Sequence, residues 1–429
     1  MRRFKYSSLA AALLAVVTLA SLWGSSNSQL FAATLCVNPG GTSGCFAKIG
    51  DAVGAAAKND TIQVAAGTYA EDVVIGKPLS LIGAGRSTTT INAKGLANGV
   101  YVDGLDHPGL TNVVVSGFSV INANFEGILV TNTSDVIIAS NRISANDKSI
   151  DLADGTCPGV PAFETLEGFD CGEGIHLSGA DYSTVSGNAV NNNAGGILIS
   201  DDTAAAHHNV ITRNVVTNNP DDCGITLASH PFFNNPAGKP LGVYSNTISD
   251  NVSSNNGLAV GGAGAGVGIF TSVPGAANYG NVVTHNRLTN NGLPGVAMHS
   301  HAPGQNLNNN VIVDNIISGN GADTDDTVTP GRTGINVNNG FGGSAVSGTV
   351  ISQNVISNED VDVAVRTVAS VDMNLNQLLG TGIGVDNLGN GPVEAVENWW
   401  GCAAGPGSAG CTTVSGPKVA FTPWLVAPF

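Results

Sequence analysis

The sequence predicts an all-β protein, a solenoid in which one chain winds into stacked, parallel coils. Three observations point to it. Two short phrases recur along the chain at intervals of about 25 to 40 residues, within the range of stacked repeat units. Asn and Gly punctuate nearly every repeat, as residues suited to tight bends do. Charged residues make up only 11% and aromatic residues 5%, against 57 glycines, a composition that suits short strands and bends better than packed helices.

The first phrase is β-branched and carries an asparagine: "VIIASNRIS", "STVSGNAV", "NVITRNVVTNN", "YSNTISDNVSSNNG", "NVVTHNRLTNNG", "NVIVDNIISGNG" and "TVISQNVIS", with Asn141, Asn188, Asn214, Asn251, Asn286, Asn315 and Asn354. The second reads "GILV", "SIDL", "GIHL", "GILI", "GITL", "GIFT", "GVAM" and "GINV". Each run offers one apolar face that it cannot bury alone. Stacking coil on coil sets Ile on Ile and Val on Val and makes a continuous core of parallel ladders. Asn and Gly are expected at the bends because they tolerate left-handed backbone, and stacked Asn amides can bond along the axis. A β-sandwich would instead join period-two strands by hairpins at shorter, more even spacing.

A solenoid needs caps on its terminal coils. At the start, "CFAKIGDAVGAAAKND" predicts a short helix over Ala47–Ala57. At the end, Trp399, Trp400 and Trp424 stand among Pro and Gly and are read as a hydrophobic lid rather than a sugar platform.

The first 33 residues read as a secretory signal: Arg2, Arg3 and Lys5, an apolar run from Leu9 to Trp23, and small residues at Ala32 and Ala33. Residues 34–429 then form one exported domain, extracellular or periplasmic, with no later run long enough to span a membrane. The net charge of -16 becomes about -19 without the three leader bases, and no basic patch remains to follow a phosphate backbone, which excludes nucleic acid as a partner. Seven cysteines fit export. Cys36 with Cys45, Cys157 with Cys171 and Cys402 with Cys411 each close a short loop, leaving Cys223 over, and no CxxC spacing suggests zinc.

The opening "GDAVGAAAKNDTIQVAAGTYAEDVVIGKPLSLIGAG" resembles the first coils of pectin-lyase-like right-handed parallel β-helix proteins. The Asn-rich repeats resemble those of the NosD type and of carbohydrate-binding and sugar-hydrolysing β-helix modules. The resemblance spans nearly all of 34–429. It implies a right-handed helix and work on polysaccharide by lyases, hydrolases, epimerases or non-catalytic binders. A solenoid hosts many chemistries, so the site must be argued from its residues.

Aligning the second phrase sends Ile175, Ile197 and Ile225, with Leu177, Ile199 and Leu227, inward. His176, Leu198, Thr226 and, in the "SIDL" phrase, Asp151 face out. Adjacent rungs lie about 4.8 Å apart, which gathers Glu173, His176, Asp201, Asp202, Asp222 and His230 on one wall, with His299 and His301 further along it. An insertion over about 153–174 carries Glu164, Glu167 and Asp170, and "HPFFNNPAGKP" supplies Phe232 and Phe233. Together they suggest two walls of a groove. Asp and Asn also cap turns; it is the clustering that singles these residues out.

Asp201, Asp202, Asp222 and His230 are the candidate catalytic residues, with Glu173, His176, Phe232, Phe233, His299 and His301 as substrate-binding candidates. Three chemistries are open. Inverting glycoside hydrolysis needs two carboxyls roughly 6.5 to 9.5 Å apart, and Asp201 or Asp202 opposite Asp222 would serve. "DDC" at 221–223 resembles part of the polygalacturonase pattern, but the Asn-Thr-Asp, Gly-His-Gly and Arg-Ile-Lys of that family are missing. Elimination on a uronate polymer would use His230 as base, with calcium held by Glu173, Asp201 and Asp202. Calcium is thus the cofactor considered; no other is assigned. The third reading is non-catalytic: a carbohydrate binder, or a NosD-like metal-maturation helper using His176, His230, His299 and His301. A polysaccharide is the expected partner and a monomer the expected state.

Overall fold

Strands of two to six residues rich in Val, Ile and Leu, cut by bends every few positions, leave the chain no room for hairpins. In the computed structural model the strand ladders are parallel and build three long sheets of 14, 12 and 11 strands, plus a short one of three. The result is a right-handed parallel β-helix in which successive coils contribute one strand to each long sheet. The structure describes residues 32–164, 170–235, 238–261, 263–324, 327–340 and 342–429. The leader expectation therefore lies almost wholly outside the described residues, and Glu167 lies outside them too. Residues 32–429 form one compact unit.

The 12-stranded sheet carries the Gly-Ile phrase. Ile128, Ile175, Ile197 and Ile225 pair in line, as do Val130, Leu177, Ile199 and Leu227, and all eight are fully buried. The glycine opening each rung is demanded by spacing: a Cβ on Gly196 would lie 2.1 Å from the carbonyl oxygen of Gly224 on the next coil. One expected rung is absent. Ile128 pairs directly with Ile175, so "SIDL" is no strand; Asp151 lies exposed in the insertion, bridging Thr156 antiparallel. The chain leaves the coil before residue 153, directly after the strand Arg142–Ser144.

The corners are held by asparagine ladders. In the longest, Asn141, Asn188, Asn214, Asn251, Asn286, Asn315, Asn354, Asn376 and Asn398 stack, each Oδ1 accepting from the backbone N and the Nδ2 of the preceding Asn at 2.8–3.2 Å. A second ladder runs from Asn146 through Asn193, Asn219, Asn256, Asn291 and Asn320 and ends on Glu359, whose Oε1 takes the last two donors. These Asn do not occupy the left-handed positions. Those belong to the residue before: Ser140, Arg213, Asp250, His285, Asp314, Gln353, Leu375 and Glu397 in the first ladder all have φ between 53° and 59°. Asn serves here through its side chain, which replaces backbone partners lost at the bend.

At the first end the helix is shorter than expected, Ile49–Ala55, and buries Ile49, Ala52 and Val53. The Glu71 carboxylate accepts both Ile49 N and Gly50 N at 2.8 Å and so satisfies its open donors. At the far end Trp400 is fully buried in the core and Trp424 packs against it from outside. The disulfides are Cys36–Cys45, Cys157–Cys171 and Cys402–Cys411, and Cys223 is a buried free thiol.

Candidate acid–imidazole site

The outward face of the 12-stranded sheet is not a wet surface in its middle coils. Tyr101, Leu129, His176, Leu198 and Thr226 stand in one column by register, yet His176 and Leu198 are wholly buried and Thr226 nearly so. The cover is loop. Phe163 of the insertion stacks on Tyr101 with ring centroids 6.1 Å apart, and Cys157 and Cys171 pack with Phe125 in a satellite cluster. Alternation correctly sends these side chains outward but says nothing of what lies over them.

Two imidazoles anchor the site. His176 presents Nδ1 to Glu164 Oε2 at 3.2 Å and Glu126 Oε1 at 3.7 Å, while Nε2 hydrogen-bonds Ser200 Oγ at 2.8 Å. His230, one residue beyond its strand, puts Nδ1 3.2 Å from Asp202 Oδ1 and Nε2 3.0 Å from Asp170 Oδ2. Asp202 joins the two: its Oδ2 accepts a short hydrogen bond from Ser200 Oγ and lies 3.9 Å from His176 Nε2.

Burial sets the protonation pattern. It opposes charge on His176, but the two glutamates outweigh it and push the imidazole up to about 10. It also opposes charge on Asp202, yet His230, His176 and Ser200 hold that carboxyl below the usual range. Glu126 is raised by burial, with His176 pulling the other way. The wall therefore carries an ionised carboxylate beside a protonated imidazole in a desolvated setting, where charge acts strongly.

The remaining candidates separate. Asp201 is occupied with structure: its carboxylate accepts His230 N at 2.7 Å, Ser229 Oγ at 3.0 Å and Gly242 N, pinning the bend that presents His230. Glu173 and Asp222 sit with Asp170, ligand atoms within 4.8 Å of one another. Phe232 and Phe233 form a half-buried edge-to-face pair, centroids 5.3 Å apart, and Phe233 N donates to the Asp202 carbonyl at 3.0 Å. His299 and His301 do not join this cluster. Their Nε2 atoms lie 2.8 Å apart, beside Phe270 and Asp323, four rungs from His176, or roughly 19 Å at ordinary strand spacing.

Glu126 was not singled out from the sequence. Its signal was available: Glu126-Gly127-Ile128 repeats as Glu173-Gly174-Ile175 one rung on. Ser200 was hidden by its ordinariness, whereas Glu164 and Asp170, read from the sequence only as carboxylates of the projecting loop, are the ones that reach the two imidazoles.

Residues 56–235 match the family described as periplasmic copper-binding protein (NosD). No curated protein matches the chain. Among solved structures, the A-module of the Azotobacter vinelandii mannuronan C-5 epimerase AlgE4 is similar over 88% of this chain and 92% of its own, with 14% identity and a TM-score of 0.52. An alginate lyase from Paenibacillus sp. shares 14% identity over 84% of this chain and 99% of its own, TM-score 0.48. Pectate lyase Pel9A shares 14% over 91% and 79%, TM-score 0.43. At these identities the likeness is one of fold. The disulfides fit an oxidising compartment, and no helix among the described residues is long and apolar enough to cross a membrane.

Proposed function

We propose that this is an exported β-helix protein that acts on polysaccharide, with His230 as the proton-transfer group of its wall. In this reading residues 1–33 are a removed signal, and 34–429 act as one monomeric domain. The observation that carries the proposal is the bracketing of His230 by Asp202 at 3.2 Å and Asp170 at 3.0 Å. The Asp202 carboxylate on Nδ1 fixes the orientation of the imidazole, and Nε2 serves for proton transfer once a polymer displaces Asp170 from it. His176, two rungs away, is already paired with Glu126 and Glu164 and supports the wall from beneath. The fold shared with a mannuronan epimerase makes uronate polymers the first ligands to try.

A second reading, binding without bond cleavage, is favoured by the burial of both imidazoles. A polymer reaches them only by displacing the side chains that cover them, Glu164 and Asp170 among them. Incubation with a panel of uronate and neutral polysaccharides separates the readings. Unsaturated ends mark elimination, new saturated reducing ends mark hydrolysis, and an altered uronate composition marks epimerisation. Retention of polymer without any product supports the binder. No product and no retention across the panel would overturn both.

A further inference from the structure

We propose that Asp170, Glu173 and Asp222 hold a hard divalent cation of the calcium class where the chain enters the histidine-bearing rungs. This goes beyond the polysaccharide reading and stands whether or not a sugar binds. Three carboxylates, one from each residue, bring oxygens within 4.8 Å of one another. That is the greatest separation two oxygens can have on one ion at about 2.4 Å from each, a calcium distance.

The cluster is more than a run of acids, because at its centre a buried glutamate points both carboxylate oxygens into it without a hydrogen-bond partner. Glu173 is 1% exposed, and neither of its carboxylate oxygens has a hydrogen-bond partner; Asp222 Oδ2 has none either. Neither residue forms an ion pair with Lys or Arg among the described residues, where Lys148 is engaged with Asp147 at 2.7 Å. A buried carboxylate with neither a counter-charge nor a hydrogen bond is unfavourable, and a bound cation would supply the missing charge. The fold also makes room for the Glu173 side chain. On the next rung the residue in register with Glu173 is Gly195, where a Cβ would lie 2.2 Å from Glu173 Oε1.

The neighbouring trio differs. Glu126 and Glu164 face His176, which supplies their positive charge from within the chain. The Asp170 trio offers only oxygen, the donor set of calcium, magnesium and manganese rather than of copper or zinc. Cys223 does not change this. Its Sγ accepts Ala265 N at 3.2 Å and packs with Ala265, Leu293 and Ala297. A cation here would tie the insertion, through Asp170, to the rungs of Glu173 and Asp222, and would brace the carboxylate on which His230 Nε2 rests.

The test uses the full chain stripped with chelator and returned to chelator-free buffer. Titration with calcium alone, followed by calorimetry and by thermal unfolding, is expected to show one tight equivalent and a midpoint that climbs with calcium concentration. Glu173→Gln should weaken that equivalent by tenfold or more, and Asp222→Asn should do the same. The wild-type titration stands even if one variant fails to fold. No binding and no shift in the wild type up to millimolar calcium would overturn the proposal, as would unchanged affinity in both folded variants. In that event the carboxyls are held by shared protons.

Discussion

Asp202 stands between two histidines of different coils, with Oδ1 3.2 Å from His230 Nδ1 and Oδ2 3.9 Å from His176 Nε2. The contact draws together positions 176, 202 and 230 because three consecutive rungs lie in register. Asp202→Asn keeps the shape and removes the charge. His230 should then titrate at lower pH, visible by NMR of its ring protons. On the proposed catalytic reading, any polysaccharide turnover should fall by about 10²-fold or more. An unmoved His230 titration would place its stabilisation elsewhere.

His176 is the counter-charge for Glu126 and Glu164. Its pKa is raised on folding from an ordinary 6.5 to about 10. Its stabilising contribution is thus complete below pH 6.5 and is lost as pH climbs through 10. His176→Gln strands two buried carboxylates and should cost about 3 to 5 kcal/mol at neutral pH. Denaturant unfolding should show the wild type weakening from pH 7 to pH 10 while the variant does not.

Each ladder asparagine satisfies several buried groups at once. Asn251 Oδ1 accepts Asn214 N and Nδ2 at 2.9 and 3.0 Å, and its own Nδ2 reaches Ile211 O and Asn286 Oδ1. Asn251→Ala leaves those groups without partners, and at about 1 to 3 kcal/mol each the loss should exceed that of any exposed Asn→Ala change. Asn358→Ala, at an exposed bend, is the comparison, read by denaturant midpoints.

Glu359 closes the second ladder where the pattern would call for another Asn. Burial pushes its carboxyl up to about 7, against the pull of Asn320. For an acid raised on folding from 4.5, the folded state holds its proton longer, so stability falls as pH rises from 4.5 to 7 and is flat beyond. Glu359→Gln keeps an acceptor for Asn320 without the charge. It should gain about 2 to 3 kcal/mol over the wild type at pH 8 and little at pH 4, measured by thermal unfolding across pH.

The fold was legible because its physics is local and repeated. Ile175, Ile197 and Ile225 announce an inward column by alternation alone, and the recurring Asn and Gly announce the bends. What the repeat does not encode was harder to read. "SIDL" imitates a rung but falls inside the insertion, where no neighbouring coil offers it a ladder. The left-handed residue precedes the ladder Asn, so its identity varies freely from Ser140 to Leu375. Asp201 and Asp202 are adjacent in sequence, yet only a bend geometry that no pattern displays turns one to backbone amides and the other to imidazoles. Glu126 repeats the phrase of Glu173 and was within reach; Ser200 was not.

The asparagine columns also give the rod a direction. Every amide carbonyl in them points back toward the coil made before it, and each finished coil leaves a backbone N–H and an Nδ2 facing forward. A chain threaded amino end first through a narrow exit would meet, at each turn, a completed edge ready to take the next winding. Growth from the opposite end would find its acceptors facing empty solvent.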